Sequence, residues 1–318
     1  MSYSRFIIRR TGLTLISAYL VASATFFLVN LMLYKQLNGI LARARYGGAS
    51  QEELTRIRQN FVESRGLDIS IHERYLDWIV DITTLNWGYS PAYQQPIIDV
   101  LNGRVQTTLE YVIPGVAIAV LLGVTLGVLA ALWKDRSLDW SSRVGVYVLL
   151  GVPAFMTIYY LRFVSGTQLI AVQGLQIRFP ELGTQTVAIL AVAFGLLAGQ
   201  VRFVRGAVLD EVGNEFVKLL RAKGSTPRTL ARHLLRNAAI PIISLSVAEM
   251  LGVLMLNIYV IESVLGIPGL AEASLRAVRR PDIRLAIWTT MVLVFIGLVG
   301  NLIQDVLYGY LDPRIRSD

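Results

Sequence analysis

Long stretches almost free of charge alternate with short basic segments along this chain. Thr11–Tyr34, Tyr111–Trp133, Val144–Leu161, Leu182–Val201, Asn237–Ile261 and Leu285–Gln304 run 18 to 25 residues each, and the only Asp, Glu, Lys or Arg among them is Glu249. About 20 apolar residues at 1.5 Å each cross a hydrocarbon core of about 30 Å. The pattern predicts six transmembrane helices in an all-α integral membrane protein. The third has a second possible extent: Phe163–Ile177 is also uncharged, which lets that helix continue past Arg162. The first span follows Arg5, Arg9 and Arg10 and contains Ala22-Ser23-Ala24, which imitates a leader with its cleavage site. Its apolar run continues through Phe26–Leu33, beyond the 7–15 residues of a cleavable segment, and predicts a retained helix.

The polar segments have periodicities of their own. In the long loop 35–109, Ser50-Gln51-Glu52-Glu53 has the form of a capping box, followed by Leu54, Ile57, Phe61 and Val62 at helical spacing and by a stop at Gly66. Tyr75, Leu76, Trp78, Ile79 and Ile82 form a second amphipathic stretch. A division follows: residues 1–109 as the first helix with an amphipathic helical loop, and 110–318 as a five-helix core. Between the fourth and fifth spans, in segment 206–236, Phe216, Val217, Leu219 and Leu220 sit among Asp210, Glu211, Glu215, Lys218, Arg221 and Lys223. Gly224 stops a short helix there, and Thr226-Pro227 starts the next. Apolar residues on a water-facing loop require a covering surface, either another protein or the lipid interface.

Composition agrees with the spans. The 318 residues are 54% apolar and 16% charged, with a mean hydropathy of +0.54, against roughly 25% charged in an average globular domain. The absence of cysteine excludes disulfides, thiolate metal sites and cysteine nucleophiles, and His72 and His233 alone make no histidine metal centre. No cofactor is expected. The net charge of +8 reads as orientation against a membrane, not as nucleic-acid binding. With the N-terminus inside, segments 1–10, 134–143, 202–236 and 309–318 carry 16 Lys and Arg. The other side carries 13, of which eight fall in the long loop, where the rule has little force. Both termini are then cytoplasmic. Arg276, Arg279, Arg280 and Arg284 run against that assignment. Trp133, Trp140, Trp288, Tyr308 and Tyr310 fall at predicted span ends, as an interfacial belt would.

Small residues recur every four positions: Gly115, Ala119, Gly123, Gly127 and Ala131 in the second span, and Ala191, Gly195 and Gly199 in the fourth. They let helix backbones approach closely. Pro153 should kink the third span. In the last span, Gly297, Gly300, Asn301, Gln304 and Tyr308 project within about 60° of one another at 100° per residue. Polar groups in lipid are costly, so Gly297, Asn301 and Gln304 are candidates to face a pathway or a partner, with Glu249 as a further one. Charges inside the membrane are otherwise few, which disfavours an ion-coupled carrier. No G-x-x-x-x-G-K-[ST] stretch, HExxH or Gly-x-Ser-x-Gly occurs, so neither a P-loop nor a catalytic motif is present.

These residues also carry a family resemblance that runs nearly end to end. Phe6-Ile7-Ile8-Arg9-Arg10, Arg65-Gly66-Leu67-Asp68, Tyr75-Leu76-Asp77-Trp78, Trp87-Gly88-Tyr89-Ser90 and Val152-Pro153-Ala154-Phe155 follow in order. Then come Arg221-Ala222-Lys223-Gly224 with His233, Arg236-Asn237 and Pro241; Glu262 with Gly266, Pro268, Gly269 and Leu270; and Asp305-Val306-Leu307-Tyr308 with Asp312-Pro313-Arg314. Together they resemble the membrane-spanning permease subunits of ABC importers for dipeptides and oligopeptides, of the first-permease type. The resemblance implies a plasma-membrane protein without enzymatic activity of its own. It implies a second homologous permease, two cytoplasmic ATPases and an extracytoplasmic solute-binding protein as partners, besides membrane lipid. It makes Glu215, Phe216, Lys218, Leu219, Leu220, Arg221, Ala222, Lys223 and Gly224 the cytoplasmic element that seats in an ATPase. The implied solute is a peptide; members with the same pattern carry nickel, glutathione or sugars such as oligosaccharides. A stand-alone secondary transporter is the competing class, and it would need inverted repeats or paired membrane charges.

Overall fold

The computed structural model describes residues 3–165, 170–172, 175–177, 181–280 and 282–311. The side chains of Arg178, Arg221, Pro241 and Glu249, and Asp312-Pro313-Arg314, lie outside the described residues. The helices are α1 (Tyr3–Tyr46), α2 (Gln51–Ser64), α3 (Ile71–Thr84), α4 (Ile97–Leu132), α5 (Ser137–Gly151), α6 (Ala154–Val164), α7 (Thr184–Val212), α8 (Glu215–Ala222), α9 (Pro227–Leu265), α10 (Leu270–Arg279) and α11 (Ile283–Leu311). Two short antiparallel pairs accompany them: β1 (Tyr89–Ser90) with β2 (Gln95–Pro96), and β3 (Ile170–Val172) with β4 (Leu175–Ile177).

Among the described residues, α1, α4, α7 and α11 are each long and apolar enough to cross a membrane. Two bent pairs, α5 with α6 and the end of α9 with α10, bring the total to as many as six. The all-α membrane architecture is therefore present. The third span bends at Pro153, as its proline predicted. It breaks by 104° between Gly151 and Ala154. α6 runs past Arg162 and ends at Val164, and the β3–β4 pair follows. α1 runs on to Tyr46 and α4 begins at Ile97, so both helices reach into the segment 35–109.

Small residues build the centre. Gly115, Gly123 and Gly127 of α4 meet α7 backbone to backbone. A methyl group at Gly115 would sit 2.7 Å from Val192 Cβ, one at Gly127 2.7 Å from Val204 Cβ, and one at Gly123 would strike Gln200. None of these positions has room for a side chain. Tyr111, Ala119, Val187, Val192, Ile258 and Ile261 then join α4, α7 and α9 in one buried cluster. Along another side α1 lies against α11. Arg10 pairs with Asp305 at 3.1 Å, and Tyr3 donates to the Val306 carbonyl at 3.2 Å.

The segment between α1 and α4 is helical as its pattern predicted. In the capping box of α2, the Ser50 N–H donates to Glu53 Oε2 (2.9 Å) and the Glu53 N–H to Ser50 Oγ (3.2 Å). Ser70 and Glu73 repeat the motif at the start of α3. α3 docks through Trp78, which stacks on Trp288 at 4.9 Å, and Trp288 stacks in turn on Trp87 at 4.5 Å. Trp288 is 3% exposed, so it is a buried docking residue and not part of an interfacial belt.

Candidate functional site

At one end of the bundle, α7 and α9 are joined by the short helix α8. Its last residues are set by chain chemistry. The Ser225 N–H donates to the Leu220 carbonyl (3.1 Å) and the Lys223 N–H to the Leu219 carbonyl (3.0 Å). Gly224 takes φ +72°, a left-handed conformation that an L side chain adopts only with strain. Thr226 then caps α9 by accepting from the Thr229 N–H (3.3 Å), and Pro227 opens the helix without losing a hydrogen bond.

The apolar face of α8 divides between two jobs. Val217, with no exposed surface, packs among Val204, Val208, Leu230 and Leu234, and Phe216 and Leu220 lean half-buried on the same cluster. These residues weld α8 to α7 and α9. Leu219 points away and is 62% exposed. Glu215, Lys218, Ala222 and Lys223 are also exposed, while Arg221 has its backbone in the helix and its side chain outside the described residues. The outward surface is therefore one leucine ringed by charges.

A buried ion pair braces this end. Asp139, at the start of α5, has no exposed surface. Arg205 of α7 grips it twice, Nε to Oδ1 at 2.6 Å and Nη2 to Oδ2 at 3.0 Å, and the Asp135 N–H adds a third bond at 3.0 Å. Such bidentate pairs are geometrically specific. The partners lie 66 residues apart, and no spacing rule in the sequence joins them.

The other end holds a second knot. Thr108 and Val128 are both on α4, about 30 Å apart at 1.5 Å per residue, and Val128 packs in the α8 cluster. Thr108 instead donates to Glu262 Oε1 (2.7 Å), as does Tyr111 (2.9 Å). The Glu272 N–H donates to Glu262 Oε2 (2.8 Å), and the Leu270 N–H to Thr108 Oγ1 (2.9 Å). Glu262 thus holds the turn from α9 into α10. That turn passes Gly266 at φ +65° and Gly269, where any side chain would strike the Glu262 carboxylate. Nearby, Arg104 and Arg276 both bond Glu272, at 3.1 and 2.9 Å, and flank the Tyr93 ring at 4.9 and 5.1 Å. Burial raises the Tyr93 phenol above its ordinary value, so it stays protonated and donates to Glu272. Part of the basic run that opposed the orientation rule is therefore engaged in local pairs.

The polar stripe of α11 does not share one environment. Gly300 lies against Leu251 of α9, with a methyl there only 2.9 Å from Leu251 Cδ1. Gly297 faces open space, Asn301 is exposed, and Gln304 is half-buried. Glu249 lies in α9 with its side chain outside the described residues. The Ser70–Glu73 box could have been found, since it repeats the Ser50–Glu53 pattern. Ser90, whose Oγ donates to Asp282 Oδ2 at 2.6 Å over a separation of 192 residues, could not.

Comparison with known proteins gives a consistent picture. Residues 123–317 match the model of the family described as binding-protein-dependent transport system inner membrane component. The chain is 27% identical to the dipeptide transport system permease protein of Lactococcus lactis, over 98% of this chain and 99% of that one. It is 30% identical to a probable peptide ABC transporter permease of Sinorhizobium fredii, over 81% and 84% respectively. It is 26% identical to the glutathione transport system permease protein of Shigella boydii, over 92% and 95%.

Proposed function

The chain belongs to the family of binding-protein-dependent transport system inner membrane components, and from that premise we propose that it forms one half of the membrane pathway of an ATP-driven importer of peptides. One observation carries the reading: α8, welded to two long helices by Val217, turns Leu219 outward at the bundle end opposite the Glu262 knot. A bare leucine among charges suits a groove on another subunit, and a fully buried side chain of that size contributes roughly 1.5–3 kcal/mol. In this reading α8 seats in one of two cytoplasmic ATPases, and the Arg10, Arg205 and Lys223 end of the bundle is cytoplasmic with both termini. α2, α3 and α10 lie on the outer side, where a solute-binding protein delivers its cargo, and a second permease completes the pathway.

Peptide as cargo is supported by relatives named for dipeptide and peptide transport. The relative named for glutathione falls in the same chemical class, since glutathione is a tripeptide. The test is reconstitution in liposomes of the chain with its partner permease, ATPases and binding protein. Labelled dipeptide or tripeptide should accumulate only with ATP and with every subunit present. Accumulation by this chain alone under an ion gradient would replace the reading with a secondary transporter.

A further inference from the structure

The break in the third span leaves a cavity of about 180 Å³ between α5–α6, α7 and α9. Its walls include Val152 and Ala154 at the break, Phe194 and Leu196 of α7, and Met250 and Val253 of α9. Three polar side chains line it: Thr157 of α6, Gln200 of α7 and Asn257 of α9. No lining residue is charged. Space is made by two glycines of α7, Gly195 and Gly199, which also line it. Gly195 lies close to Asn257: a methyl group there would sit 2.8 Å from Asn257 Nδ2 and push that amide aside.

Gln200 is the informative residue. It is 2% exposed and sits near the middle of a membrane-crossing helix. Among the described residues no hydrogen bond engages its carboxamide, or that of Asn257, which is half-buried. Buried amides are normally satisfied, and more so where lipid replaces water. A buried glutamine without a partner, lining an apolar cavity that Asn257 also lines, therefore points to a ligand that satisfies it. Each carboxamide offers two donors and an acceptor, the complement of a peptide N–H and C=O. A charged group would be left desolvated without a counter-charge.

We propose that this cavity is a transient binding site for an uncharged backbone amide of the passing peptide, held by Gln200 and Asn257 within this subunit alone. The site rests on the peptide-importer reading and deepens it. It recognises the one group every peptide shares, so the apolar walls take side chains without selecting among them. Binding through two neutral hydrogen bonds is weak enough for release, as a conducting pathway requires.

The chain contains no cysteine, which makes the site directly readable. Thr157→Cys would be introduced into the complete transporter and labelled with a small thiol reagent, with trialanine as the probe. Trialanine should slow labelling of position 157. Gln200→Met or Asn257→Leu, which keep the volume and remove the amide, should weaken that protection about tenfold. The two variants are independent, so failure of one to assemble leaves the other to decide. Import of trialanine with labelling unchanged by it, or protection equal in an assembled variant, would overturn the site alone. A complete transporter that imports no peptide would overturn the site together with the reading beneath it.

Discussion

Glu262 has no exposed surface, and its carboxylate accepts from Thr108, Tyr111 and the Glu272 N–H. Removing the acceptor strands three donors, each costing about 1–3 kcal/mol when left unsatisfied. Glu262→Ala should therefore lower the thermal unfolding temperature of the detergent-purified chain, and more than Glu262→Gln, which keeps one oxygen. Equal temperatures for parent and Ala variant would remove the knot from the account. Gly269→Ala should act like Glu262→Ala, since its methyl group would occupy the carboxylate's place. The residue scale is where the sequence was least legible. Glu262 stood out only within a family motif, because its hydroxyl partners lie 154 and 151 residues away. Local contacts are different: Ser50 and Glu53 are three residues apart, and their mutual capping follows from helix geometry alone.

Among the elements, α8 and the α4–α7 pair carry separate expectations. Gly224 at φ +72° ends α8 and sets its angle to α9. Alanine there is strained by roughly 1–2 kcal/mol. Gly224→Ala should leave the chain inserted in the membrane while lowering uptake per ATP hydrolysed. Membrane abundance and ATPase association measured alongside uptake separate this from simple loss of protein. Gly115→Leu or Gly127→Leu should instead separate α4 from α7 and reduce the amount of folded chain recovered, as size-exclusion chromatography would record. Recovery at the parental level would contradict the packing. The small-residue repeat was legible because a period of four keeps one helix face in register. The 104° break at Pro153 was legible only as a kink, since proline removes one bond and the neighbouring helices set the angle. α10 was not foreseen at all. It is short, and its stretch Leu270–Arg279 mixes three charges into ten residues.

At the scale of the whole molecule, the chain leaves large apolar faces uncovered, among them Tyr147, Tyr159, Tyr160 and Phe163 on the broken span and Leu15, Phe27 and Met32 on α1. Lipid and a second permease are the proposed covers. The orientation carries its own expectation. Cysteines placed at Ser50 and Ser225 should react differently with an impermeant reagent on intact cells, position 50 labelled and position 225 protected. The reverse pattern would invert the topology and move α8 away from any ATPase.

The central claim is that ATP hydrolysis reaches the pathway through α8, and Leu219 tests it most directly. Phe216 and Leu220 are unsuitable, since both half-bury in the chain's own cluster and their loss would disturb folding. Leu219 touches the outside. Leu219→Asp should be measured in proteoliposomes holding the full set of subunits, with hydrolysis and peptide uptake recorded in the same sample. The account predicts that uptake falls at least about tenfold, the consequence of losing 1.5–3 kcal/mol of apolar burial, whether the ATPases detach or hydrolyse without transport. Uptake at the parental rate, with the ATPases still bound, would contradict it.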